Sequence, residues 1–202
     1  MSIQPYKSTI LVFLFTFAVL SASFSSERDL TLEDVKGLIT AKNDTFSEED
    51  IENRNRLKAY GDSATLALIE LAKIENHPLA FKRICNRLVT TEKYKDEVRA
   101  YFNSTILKSL DADVGTLLSF KGIEVMSKYP KLGLPEDLTL FETALSRGVF
   151  QMQGKVISAL MKLNTERAYQ ILRVQQNREN DPERQHVLDN VILKWQQSRS
   201  IE

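Results

Sequence analysis

One cysteine, two histidines and seven glycines in 202 residues leave little material for the commonest catalytic and metal-binding sites. With Cys85 alone the chain closes no internal disulfide, and a Cys/His zinc site lacks its ligands. His77 and His186 belong to no HExxH helix, and a dyad between them would need distant parts of the chain to meet. The glycines form no P-loop, no dinucleotide-binding fingerprint and no GxSxG nucleophile elbow. Charge of one sign is absent too: Lys plus Arg and Asp plus Glu both number 27, so no global field draws the protein to nucleic acid. These absences predict a protein that is not an enzyme and needs no cofactor or metal.

The remaining reactive residues read as structural. Cys85 shares a helical stripe with Phe81 and Leu88, which predicts a buried, inert thiol. Asp111 and Asp113 begin a calcium-loop pattern that fails at Gly115 and Gly122, where ligands are required. Trp195 is read as core or end-cap packing. Asn43-Asp-Thr and Asn103-Ser-Thr match the glycosylation acceptor pattern, which matters only in a eukaryotic secretory pathway.

What is present starts with an address. Lys7 precedes an apolar run from Ile10 to Leu20, too short to span a bilayer, and Ser21-Ala22-Ser23 supplies small residues for a signal peptidase. Residues 1–23 are therefore read as a cleaved signal peptide, with an uncleaved membrane anchor as the alternative. The protein is expected to work outside the cytoplasm, in the periplasm if bacterial and otherwise secreted, without a stable membrane anchor after cleavage.

The rest, 43% hydrophobic and 27% charged overall, has the makings of a packed core. Residues 24–45 form a polar N-terminal segment with a short helix capped by Thr31, and 46–202 form the main domain. Ser47 and Asp50 suggest a capping box, with Phe46 stapled on Ile51, and Gly61 ends that helix. Asp62 and Ser63 are read as caps for a nearly all-apolar helix, ATLALIELAKI, and Pro78 as the first residue of its partner. Further pairs follow: one opened by Thr91 and turned at Asp111 to Asp113, and one starting at Pro135 and broken by Gly148. The last pair is capped by Asn164 and by Asp181-Pro182. Gly122 and Gly154 stand 154 − 122 = 32 residues apart, and the same step reaches His186, which proposes three equivalent repeat positions.

The stretches 60–89 (YGDSATLALIELAKIENHPLAFKRICNRLV) and 149–195 carry this helix-turn-helix rhythm most clearly, and on them the chain resembles the HEAT-like α-α superhelix families. Other two-helix repeats, TPR-like ones among them, share the pattern. The resemblance implies an all-α, right-handed superhelix, or solenoid, of about four helical hairpins with one or two extra N-terminal helices. It also implies a scaffold whose face binds a protein or peptide partner. On the second helices, the candidate contact residues are Arg83, Arg87, Phe120, Ile123, Gln151, Lys155, Lys162 and Lys194, a basic track with an apolar middle. The alternatives are an enzyme or enzyme subunit with a carboxylate site in an inter-helix groove, and a small-ligand or lipid carrier. Cleavage after Ser23, or after Ala22, is checked by mass spectrometry of the protein from its native host; an intact Met1 in the mature form contradicts it.

Overall fold

The computed structural model describes residues 29–39, 47–133 and 138–199, and among them every regular element is helical. The expected signal peptide at 1–23, Phe24 to Arg28, Asn43, the expected Phe46 staple, Pro135 and residues 200–202 lie outside the described residues. The α-helices are α1 (Leu32–Lys36), α2 (Glu48–Ala59), α3 (Thr65–Ile74), α4 (Pro78–Leu88), α5 (Lys95–Ser109), α6 (Leu117–Lys128), α7 (Thr139–Arg147), α8 (Phe150–Leu163), α9 (Glu166–Arg178) and α10 (Pro182–Arg199). Short 3-10 turns occupy Gly61–Ala64 and Tyr129–Leu132. Among the described residues no helix is long and apolar enough to cross a membrane.

Local chemistry explains most boundaries. Thr31 and Asp34 form a reciprocal capping box at α1. The Ser47 hydroxyl accepts the Asp50 N–H at 3.1 Å to open α2, and Gly61 takes a positive φ of 54° just beyond its end. Pro78 starts α4 where its missing N–H costs nothing. Asp181 Oδ1 accepts the N–H groups of Glu183 and Arg184 at 2.9 and 3.0 Å, fixing the start of α10.

Four caps differ from the sequence reading; Ser63, for one, caps no helix, its hydroxyl donating to the Tyr60 carbonyl at 2.6 Å. Asp50 does not reach back to complete a capping box with Ser47; it is buried, 3.8 Å from Arg83. Asn164 closes α8 in the left-handed region at φ 49°, and Thr165 caps α9 by accepting the Ala168 N–H at 3.3 Å. Asp62 caps no helix of its own hairpin. Its carboxylate accepts the N–H groups of Glu92 and Lys93, 3.1 and 2.8 Å away, and so ties the loop before α5 to the 3-10 turn before α3. Burial alone would raise this carboxyl, but those two N–H donors and the Thr91 hydroxyl hold it below its ordinary value.

Four helix pairs adjacent in sequence pack together: α3 with α4, α5 with α6, α7 with α8 and α9 with α10. Their first helices also touch in succession, α3 to α5 to α7 to α9, while α4 touches α6 and α6 touches α8. One contiguous core results, running from Val35 and Leu38 beneath α1 to Trp195 near the end of α10. Phe81, Ile84, Cys85 and Leu88 bury one stripe of α4 completely. An aromatic series crosses from one pair to the next, with Tyr129 6.0 Å from Phe102 of α5 and 5.2 Å from Phe141 of α7. Trp195 packs on Tyr169 at 5.7 Å, as end-cap packing requires.

The proposed equivalence of Gly122, Gly154 and His186 fails. Gly122 is buried, and a β-carbon there would collide with Ser109 Oγ of α5 and lie 2.7 Å from Met152 Cε of α8. Gly154 is exposed with no atom near its missing β-carbon, and His186 is exposed beside Asn190. The burial pattern matches at another offset: Ser119, Gly122, Val125 and Met126 of α6 recur as Gln153, Val156, Ala159 and Leu160 of α8, a step of 156 − 122 = 34 residues. Amphipathic helices align at several offsets, and only the buried set distinguishes them.

The two glycines therefore predict opposite responses. Gly122→Ala overpacks a crossing and is expected to destabilise by about 1–3 kcal/mol. Gly154→Ala adds helix propensity in open space and should stabilise by roughly 0.5–1 kcal/mol. Urea unfolding of both variants checks this, and equal responses would contradict the crossing.

Candidate functional site: two inter-helix grooves

One opening lies between the first helices of two successive pairs. It has a volume of about 790 Å³ between α3 and α5, with Leu30, Leu32, and Leu118 and Lys121 of α6 in its lining. Leu66, Ala67, Ile69, Ala72 and Tyr101 make it largely apolar, and Glu70, Lys73, Glu97 and Lys108 also contribute to its walls. Lys121 holds this region together. Though 8% exposed, it donates to the Ala72 carbonyl at 3.2 Å and sits 4.9 Å over the Phe81 ring, joining α3, α4 and α6. A cation at the carbonyl end of α3 also meets the negative end of the helix dipole. Burial pulls the Lys121 ammonium below its usual value, opposed by the Glu75 carboxylate. Burial likewise pushes up the Tyr101 phenol, which therefore stays neutral in the groove wall.

A second groove, of about 440 Å³, separates α2 from α4 over an apolar floor that includes Leu38, Ile39 and Leu57. Arg54 and Lys58 line it from α2, and Arg83 and Arg87 from α4, with Asn86 and Thr90 beside them. One carboxylate, Asp50, is in the lining, and it faces Arg83. Arg87 donates to the Thr90 hydroxyl, while its Nε is buried without a hydrogen-bond partner. Burial lowers the Arg87 pKa, and the Asp62 carboxylate works against that shift.

Of the residues nominated from sequence, the structure brings Arg83 and Arg87 into this basic groove. Phe120 and Ile123 are half-buried against the core, with Phe120 edge-on to Phe81 at 6.5 Å. Gln151 is exposed at a small opening of about 150 Å³ between α8, α9 and α10, and Lys155, Lys162 and Lys194 are exposed. The sequence reading missed Arg54 and Lys58. Their spacing of four is visible in the chain, but the packing that turns them toward Arg83 and Arg87 is not.

Cys85 is fully buried, and burial pushes its thiol far up, reinforced by the Glu124 carboxylate. Lys128 and Lys121 of α6 pull the other way, a pair of cations that the stripe of α4 itself does not reveal. His77 is exposed at the turn before α4, and His186 is exposed on α10, 3.0 Å from Asn190. Asp111 pairs with Arg147 at 2.7 Å, and among the described residues no cluster of His, Cys, Asp or Glu is arranged to hold a metal ion. Asn103 accepts the Tyr129 hydroxyl at 2.7 Å inside α5, so its side chain is engaged within the fold. No family model, curated protein or solved structure matches the chain.

Proposed function

We propose that this protein is a non-catalytic, extracytoplasmic interaction or scaffold module that holds a segment of a protein or peptide partner between its helices. The observation that carries this reading is the α3–α5 groove. An apolar trough of about 790 Å³ with charged residues along it suits a partner segment with one apolar side. The order of helix contacts, each first helix on the next first helix, supports a HEAT-like stacked superhelix as the architecture. The sequence-derived face adds cations beyond the groove at Lys155, Lys162 and Lys194, while Phe120 and Ile123 already give part of their surface to the core. The expected signal peptide supports a partner outside the cytoplasm.

A photo-crosslinking amino acid at exposed Ser104 or Leu118, both in the groove lining, tests this in the native secreted or periplasmic extract. The same group at exposed Asn177 is the control. The expected result is one discrete polypeptide adduct at both groove positions, abolished by Ala100→Glu and absent at 177. Adducts that are the same at all three positions, or none at the groove, would overturn the reading.

A further inference from the structure

The basic groove between α2 and α4 has a separate character, and it does not depend on the partner reading above. Arg54 and Lys58 are one helical turn apart on α2, and Arg83 and Arg87 are one turn apart on α4. Side chains at this spacing share a helix face, so two helices present a pair of cations each to one cleft of about 440 Å³. Against these four stands Asp50 in the lining, with Asp62 acting on Arg87 from the loop side. The chain as a whole carries equal numbers of both charges, so this is a local concentration rather than a reflection of composition.

Arg87 itself is incompletely satisfied. A guanidinium has five donors in a planar fork matched to oxyanions. Arg87 directs one nitrogen to Thr90 and leaves Nε buried without an acceptor, an arrangement that costs free energy unless something supplies one. Asn86 and Thr90 add uncharged polar groups, and the floor of Leu38, Ile39 and Leu57 offers apolar contact. A single inorganic anion would leave most of this volume unused, whereas small-molecule sites begin at roughly 300 Å³.

We infer that the α2–α4 groove is a binding site for a compact organic polyanion, one bearing two or more carboxylate or phosphate groups on a small apolar frame. Arg83 and Arg87 grip one anionic group and Arg54 with Lys58 the other, while Asp50 keeps Arg83 in place from below. Carboxylate and phosphate share the fork-shaped recognition, and the probes separate them.

The protein is titrated by calorimetry with citrate and, separately, with inorganic pyrophosphate at low ionic strength, with backbone amide shifts followed by NMR. The expected result is saturable binding of at least one probe, with the largest shifts at α2 and α4 around residues 54–58 and 83–90. The tighter probe identifies the anionic group. Arg83→Gln with Arg87→Gln should weaken binding by about tenfold or more, the range of charge-assisted hydrogen bonds. Should that variant unfold, Arg54→Gln with Lys58→Gln changes two exposed residues and should also weaken binding severalfold. Lys131→Gln with Arg178→Gln, two exposed cations outside both grooves, should leave it unchanged. No saturable binding of either probe, or equal loss in the 131/178 control, overturns the assignment.

Discussion

Gly122 has no β-carbon, and that allows α6 to cross α5 at a separation that any other residue would prevent. The space a methyl group would need is already taken by Ser109 Oγ and the end of Met152. Because α5 also touches α3 and α7, and α6 also touches α4 and α8, this crossing links four further helices. Among the described residues the free thiol of Cys85 is the only sulfhydryl, so packing of this kind, with its polar ties, must hold the helices in place without a covalent staple.

The polar ties lie around that crossing rather than within it. Lys121 reaches from α6 to the end of α3 across the Phe81 ring, and Asp62 binds two backbone N–H groups thirty residues along the chain. Both are groups whose burial would be costly if unpaired, and both are spent on joining separate helices. They leave clefts on either side of α3 and α4. The apolar cleft between α3 and α5 and the basic cleft between α2 and α4 are different chemical environments.

The helices themselves were largely legible. Pro78, the Thr31–Asp34 box and Asp181-Pro182 announce starts through local chemistry, and the stripe of Phe81, Ile84, Cys85 and Leu88 announces its buried face. The inter-helix register was not. A glycine marks a close approach only when another helix arrives there, and Gly122 meets one while Gly154 does not. Asp62 was misread for the same reason, since its partners lie in another hairpin. The site was legible by halves: Arg83 and Arg87 stand out on α4, but Arg54 and Lys58 join them only through the groove that α2 and α4 line together.

If the α5–α6 crossing is the reference for the whole stack, its amides should open last. Native-state hydrogen exchange measures this directly. The slowest exchange is expected in the middle of α5 and α6, with faster exchange toward α2 and α10, and Gly122→Ala should lower the protection of α5 and α6 while the order is kept. Slowest exchange in α2 or α10, or an α5–α6 maximum unmoved by Gly122→Ala, would contradict it.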